Sequence, residues 1–105
     1  MTTFDEREKE FEARFKHDQE LQFKIKARRN RLLGLWAAKQ MDLGATEADA
    51  YATSIVAAQF AGGDRRILEK VTADLAEKAP GVTEAQARFQ FDRLSEEAKR
   101  QVMQG

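Results

Sequence analysis

The sequence has 105 residues, no cysteine, and eighteen basic residues balanced by eighteen acidic ones. This length favours a single domain. Without cysteine the chain has no disulfides, thiolate nucleophiles or thiolate metal ligands, which fits a reducing cytoplasm. Because the charges cancel, net charge points to no class of partner.

The N-terminal residues do not follow the pattern of a signal peptide. Residues 1–6 are acidic where a signal peptide is basic and then apolar. No apolar run approaches the roughly 18 residues that would span a bilayer. We therefore expect a cytoplasmic protein that does not insert into a membrane.

Helix-favouring residues dominate along the whole chain. Proline occurs once, β-branched residues are few, and no stretch has the alternation of a strand. The sequence predicts helices over 20–42, 47–61, 65–79 and 84–103, and a separate helical segment over 4–16. Four one-sided helices joined by short loops predict an all-α four-helix bundle.

Three turns are predicted between these helices. Leu43-Gly44 indicates a helix end at which glycine takes the left-handed conformation. Gly62-Gly63 predicts the end of the second helix, and Pro80-Gly81 the end of the third.

Capping residues follow each predicted turn. Thr46 with Asp49 three positions on resembles a capping box, and Asp64 is a candidate cap for the third helix. Thr83 with Gln86 predicts a second capping box before the last helix.

Each predicted helix carries apolar residues at helical spacing, and these predict the core. The residues in chain order are Leu21, Ile25, Leu32, Leu35 and Trp36; Ala48, Tyr51, Ala52, Ile55, Val56 and Phe60; Ile67, Leu68, Val71 and Leu75; and Ala87, Phe91, Leu94, Ala98 and Val102.

The N-terminal segment is unusual because phenylalanines lie among charged residues there. Phe4, Phe11 and Phe15 fall within about 40° of one another on a helical wheel, and almost no aliphatic residue accompanies them. One interpretation is a satellite helix that packs on the bundle. The other is a loosely helical segment that becomes ordered on a partner. We divide the chain into a docking segment, 1–19, and a bundle, 20–105.

The residues of the first third resemble a known family. The resemblance lies in Phe4-Asp5-Glu6-Arg7-Glu8, in Phe11, Phe15 and Phe23, and above all in Ala27-Arg28-Arg29-Asn30-Arg31-Leu32-Leu33-Gly34-Leu35-Trp36-Ala37-Ala38. This pattern is similar to that of the ζ subunit of alphaproteobacterial F-type ATP synthases.

The resemblance implies a natural inhibitor of ATP hydrolysis. Members of that family are four-helix bundles whose N-terminal segment enters a catalytic α/β interface of the synthase and reaches the γ stalk. The resemblance thus implies a monomer without catalytic residues, held peripherally at the inner membrane through the synthase. The docking residues we predict are Phe4, Arg7, Phe11, Arg14 and Phe15.

A basic stretch follows the N-terminal segment. Residues 21–39 carry six basic residues and no acidic one. The basic residues surround the helix instead of forming one stripe, so nucleic-acid binding is not expected. The resemblance also implies weak binding of ADP or ATP. We assign such a site to Arg28, Arg29, Asn30 and Trp36 through phosphate pairing and base stacking, although Trp36 is equally well a core residue.

Catalytic chemistry is not predicted. His17 is the only histidine, so the chain offers no histidine metal cluster and no nucleophile–base dyad. No cofactor is required. The alternative to an inhibitor is a nucleotide-sensing helical adaptor whose N-terminus is not inhibitory.

Overall fold

The structure, a computed structural model, describes the backbone of residues 3–104 and the side chains of residues 17–104. It contains three helices: α1 (Thr3–Gln40), α2 (Ala45–Lys78) and α3 (Glu84–Gln104). Helix α1 contacts both of the others, which touch each other less. The longest dimension of the molecule, 64 Å, is slightly greater than the roughly 57 Å expected for α1 alone at 1.5 Å per residue. Within residues 3–104, no helix is long and apolar enough to cross a membrane.

The prediction of a four-helix bundle is wrong, although the chain is all-helical. The predicted helices 47–61 and 65–79 are two arms of α2, which bends where Gly62 and Gly63 leave helical dihedral angles. Two glycines outside helical dihedral angles reverse the direction of α2 with no further loop residues between its arms. The predicted segment 4–16 is likewise part of α1, which runs through the predicted domain boundary at residues 19 and 20.

The two arms of α2 lie side by side. The Tyr51 hydroxyl on the first arm donates a 2.8 Å hydrogen bond to Asp74 on the second. Lys70 pairs with the same carboxylate at 3.2 Å. Burial raises the pKa of Tyr51 above its ordinary range, so this hydroxyl stays protonated and remains a donor. We call the bend at Gly62-Gly63 the elbow.

The turn between α1 and α2 uses its residues differently from the prediction. Asp42, not Gly44, takes the left-handed conformation, with φ of 58°. The Leu43 N–H donates to the Ala38 carbonyl and the Asp42 N–H to the Lys39 carbonyl, which is a Schellman ending. Gly44 is the extended N-cap of α2, so the predicted cap at Thr46 is wrong.

The second predicted capping box is confirmed. The Gln86 N–H donates to the Thr83 hydroxyl at 3.1 Å, and the Thr83 N–H donates to the Gln86 side chain at 2.8 Å. Asp64, in contrast, directs its carboxylate to side chains of α1 and α2. The end predicted at Pro80-Gly81 is confirmed, because α2 stops at Lys78.

Apolar side chains from all three helices form one core. The predicted stripes of α2 and α3 contribute most of this core. In the second arm of α2 and in α3, the predicted stripe agrees well with the residues that are buried. The buried members of the core are Leu33, Ala37, Met41, Ile55, Ile67, Val71, Leu75, Ala87, Phe91 and Leu94.

The predicted core stripe of α1 is wrong. None of its five residues is buried, although Leu32 and Trp36 pack against the core from its margin. The buried face lies on nearly the opposite side of the helix and is made of small and polar residues as well as apolar ones. Its members are Arg29, Asn30, Leu33, Gly34, Ala37, Ala38 and Met41.

Gly34 sets the distance between α1 and α2. A Cβ at this position would lie 2.7 Å from the Ala52 Cα, which is backbone, and 3.3 Å from Ile55. We predict that Gly34→Ala lowers the free energy of unfolding by about 1–2 kcal/mol, because overpacking outweighs the roughly 1 kcal/mol by which alanine favours a helix. Urea unfolding measures this change.

Gly81→Ala is the matched control for Gly34→Ala. A Cβ at Gly81 meets nothing within 4 Å, so this change should be neutral or slightly stabilising. A Gly34→Ala variant that is more stable than the wild type would show that helix propensity, not close contact, governs this position.

Candidate partner-docking surface

The N-terminal part of α1 extends beyond the elbow of α2. The elbow region contacts α1 between Asp18 and Asn30, and the α1 backbone continues as helix back to Thr3. The side chains predicted to dock on a partner lie outside the residues whose side chains are described, so their roles stay a prediction. They are Phe4, Arg7, Phe11, Arg14 and Phe15.

Where this helix meets the elbow, the surface carries two exposed aromatic rings. Phe23 of α1 and Phe60 of α2 are 52% and 74% exposed, and their ring centroids lie 5.7 Å apart. They border a cavity of about 560 Å³, which we call the elbow groove. Its lining residues are Asp18, Gln19, Gln22, Phe23, Lys26, Gln59 and Phe60.

Sequence reasoning missed this groove. It assigned Phe60 to the core, whereas the structure places it at the surface two residues before the bend. The one sequence feature that could have indicated its exposure is that Phe60 lies two residues before a glycine pair. The last helical turn before a bend leaves one of its sides exposed to solvent. Phe23 entered only through the family resemblance.

A buried polar cluster fixes the elbow on α1. The Arg29 guanidinium donates to Asn30 (3.1 Å), Gln59 (3.1 Å) and Asp64 (2.8 Å). Asn30 donates to the same Gln59 oxygen at 2.9 Å. The Arg29 Cζ also lies 4.3 Å from the centroid of the Phe91 ring of α3, so one side chain joins all three helices.

The buried polar groups of this cluster all have hydrogen-bond partners, and one of its contacts is an ion pair. Arg29 and Asn30 are 4% and 0% exposed, and no buried side-chain nitrogen or oxygen in the described part of the chain lacks a hydrogen-bond partner. The hydrogen bond from Arg29 holds the pKa of Asp64 below its usual value. Asp64 is therefore charged at neutral pH, and Arg29 keeps a counter-charge.

The structure does not bring the four residues of the predicted nucleotide site to one cavity. Arg29 and Asn30 lie in the buried cluster, whereas Arg28 is exposed. Trp36 lines a separate cavity against α3, beside Val82 and Phe89. Binding of ADP or ATP at these residues stays a prediction, and Arg29 and Asn30 already have a structural role.

Arg28 contributes instead to a second groove, which we call the basic groove. Lys24, Arg28 and Arg31 line it from α1, and its volume is about 770 Å³. Arg31 also pairs with Asp49 at 2.7 Å. Apolar residues of the three helices also line it, namely Phe23, Ala27, Val56 and Val102, together with the polar residues Thr53 and Gln101.

Comparison with known proteins decides the family. Residues 1–101 match the family model described as ATPase inhibitor subunit zeta. This chain belongs to the zeta family of ATPase inhibitor subunits. The zeta match extends the resemblance seen in residues 4–38 across all three helices. No curated protein and no solved structure matches the chain.

Membership of the zeta family confirms the resemblance and the prediction that the chain is not an enzyme, and it confirms the coarser part of the predicted function, partner and location. The family is that of an inhibitor subunit, not an enzyme, and such a subunit regulates an ATPase by inhibition. Interaction with ATP synthase follows from the family. The interfaces, the role of the N-terminal segment and the boundary between residues 19 and 20 stay predictions.

Proposed function

We propose that this zeta chain inhibits ATP hydrolysis by the F-type ATP synthase by inserting the N-terminal part of α1 into a catalytic α/β interface and toward the γ stalk. A helix wedged in that interface blocks the opening and closing that rotation requires, so no catalytic residue is needed. Phe4, Phe11 and Phe15 supply the apolar contacts, while Arg7 and Arg14 set orientation through charge.

The observation that carries this proposal is the continuity of α1. Its backbone is helical from Thr3 to Gln40, and the buried cluster around Arg29 fixes its middle on the elbow and on α3. A helix whose free N-terminal part is already helical enters a groove with less ordering cost than an unfolded segment of the same length.

The same proposal covers location and ligands. The chain works in the cytoplasm as a monomer, peripherally associated with the inner membrane through the synthase and without inserting into the bilayer. It requires no cofactor. Weak ADP or ATP binding would accompany inhibition but would not cause it.

Removing the N-terminal segment tests the proposal. We predict that deletion of residues 1–15 abolishes inhibition of ATP hydrolysis by the cognate synthase, because the inserting part of α1 is gone. The melting temperature should change by no more than a few degrees, since the core lies within residues 29–98. Steady-state hydrolysis and circular dichroism measure the two results.

A full-length variant controls for shortening of the helix. Replacing Phe4, Phe11 and Phe15 together by alanine keeps the length and every charge, and it should also lose inhibition. A folded truncated chain that still inhibits would overturn the insertion mechanism. A wild-type chain that binds nucleotide without inhibiting hydrolysis would instead favour the nucleotide-sensing adaptor.

A further inference from the structure

We infer that the docking surface of this chain does not end with the N-terminal segment but continues onto the aromatic pair Phe23–Phe60, which forms a second contact with the same ATPase head. This inference rests on the proposed function, because the partner is the one that the N-terminal segment engages. It adds a contact from α2, a helix that the proposed insertion does not bring to the partner.

The first argument is the direction of the α1 faces. On a helical wheel of about 100° per residue, the mean direction of positions 4, 11 and 15 can be compared with that of the five α1 positions that line the elbow groove. The two mean directions differ by only about 30°. The same stripe lies about 75° from the buried face of α1. Because α1 is one continuous helix, a partner that follows the phenylalanine stripe along α1 arrives at the elbow groove.

The second argument is the exposure of the two rings. Phe60 and Phe23 leave most of their surface in water, and they contact each other rather than the core. The cluster around Arg29 holds the segment that carries Phe60, since Gln59 accepts hydrogen bonds from Arg29 and Asn30. The aromatic pair is thus already in place before a partner binds.

The third argument is the chemistry of the rim. The elbow groove has one acidic residue, Asp18, and one basic residue, Lys26, with three side-chain amides around the rings. Such a surface has no net charge, so it suits neither phosphates nor nucleic acid. An aromatic centre with a polar rim fits an apolar side-chain cluster on a protein surface, and that cluster belongs on the ATPase head beside the interface entered by α1.

Alanine variants of the full-length chain test the inference. Phe60→Ala, alone and combined with Phe23→Ala, should raise the concentration needed for half-maximal inhibition by roughly tenfold or more. Phe60→Tyr keeps the ring and should inhibit like the wild type. Both positions are exposed, so melting temperatures should stay close to that of the wild type.

Phe89→Ala is the matched control. Phe89 is 64% exposed on α3 and lines the separate cavity beside Trp36, so this variant should inhibit normally. Unchanged inhibition by the Phe23/Phe60 double variant, with the deletion of residues 1–15 still inactive, would overturn the second contact and leave the proposed function intact. Altered self-association without altered inhibition would overturn it as well. A wild-type chain that fails to inhibit would instead reject the proposed function.

Discussion

Arg29→Ala is expected to lower the free energy of unfolding by about 3 kcal/mol, although arginine is rarely a core residue. Its side chain is 5% exposed and makes hydrogen bonds to Asn30, Gln59 and Asp64. Truncation removes these bonds and the contact with the Phe91 ring. It also leaves a cavity where three helices meet. Urea unfolding followed by circular dichroism measures the loss.

Arg28→Ala provides the control next to it in sequence. Arg28 lies on the same helix but is exposed, so its replacement should change the free energy of unfolding by no more than about 0.5 kcal/mol. Equal losses at the two positions would contradict the assignment of Arg29 as the residue that joins the helices.

The ionic part of the cluster gives a pH signature. Because the folded-state pKa of Asp64 lies below its usual value, the ionised carboxylate contributes stability that is present above about pH 4 and is lost as the pH falls through the lowered pKa. Asp64→Asn should therefore be less stable than the wild type near neutral pH, and the difference should shrink in acid. The effect is moderate because the Asp64 side chain is 46% exposed. A difference that does not change with pH would mean that the charge of Asp64 contributes little.

Local features of this chain were predictable because their causes are local. The stop at Pro80-Gly81 and the Thr83–Gln86 capping box depend on a few neighbouring residues, and the structure confirms both. The core faces of the second arm of α2 and of α3 also follow from spacing, because each of these segments buries one apolar side.

The buried face of α1 was not predictable in this way. Helix α1 packs against two helices, and the close approach of α2 requires a glycine at position 34. A pattern defined by large apolar residues does not count glycine and excludes arginine, and yet Arg29 is buried on this face. Its burial depends on Gln59 and Asp64, about thirty residues away, and no local pattern contains that pairing.

The elbow explains why the predicted surface was incomplete. If Gly62-Gly63 is interpreted as a loop, it separates two helices. Phe60 is then assigned to the core stripe of the first of them. With a bend in one helix, Phe60 lies at the outer corner near Phe23. The docking surface could be predicted as far as its α1 part, because a stripe on one helix is visible in sequence, whereas a contact between α1 and α2 is not.

Gly63→Ala is expected to lower the free energy of unfolding by about 2 kcal/mol. Gly63 has φ of 69° and ψ of −158°, a conformation that residues with a Cβ rarely adopt. The chain could avoid this strain by straightening α2 into a rod. That would take Ile67, Val71 and Leu75 out of the core, where they are at most 1% exposed, and each of these side chains contributes about 1.5–3 kcal/mol through burial.

Because losing that arm costs more than the strain, the variant should keep its bend and its helical content while becoming less stable. Circular dichroism and urea unfolding together separate the two responses. Gly81→Ala again serves as the control, since a Cβ there meets nothing within 4 Å. Higher helical content with a dimer in solution would mean that α2 had straightened and that two chains had covered each other's exposed second arms. That result would show that the elbow depends on the left-handed conformation of Gly63 more than on the packing of the arm that follows it.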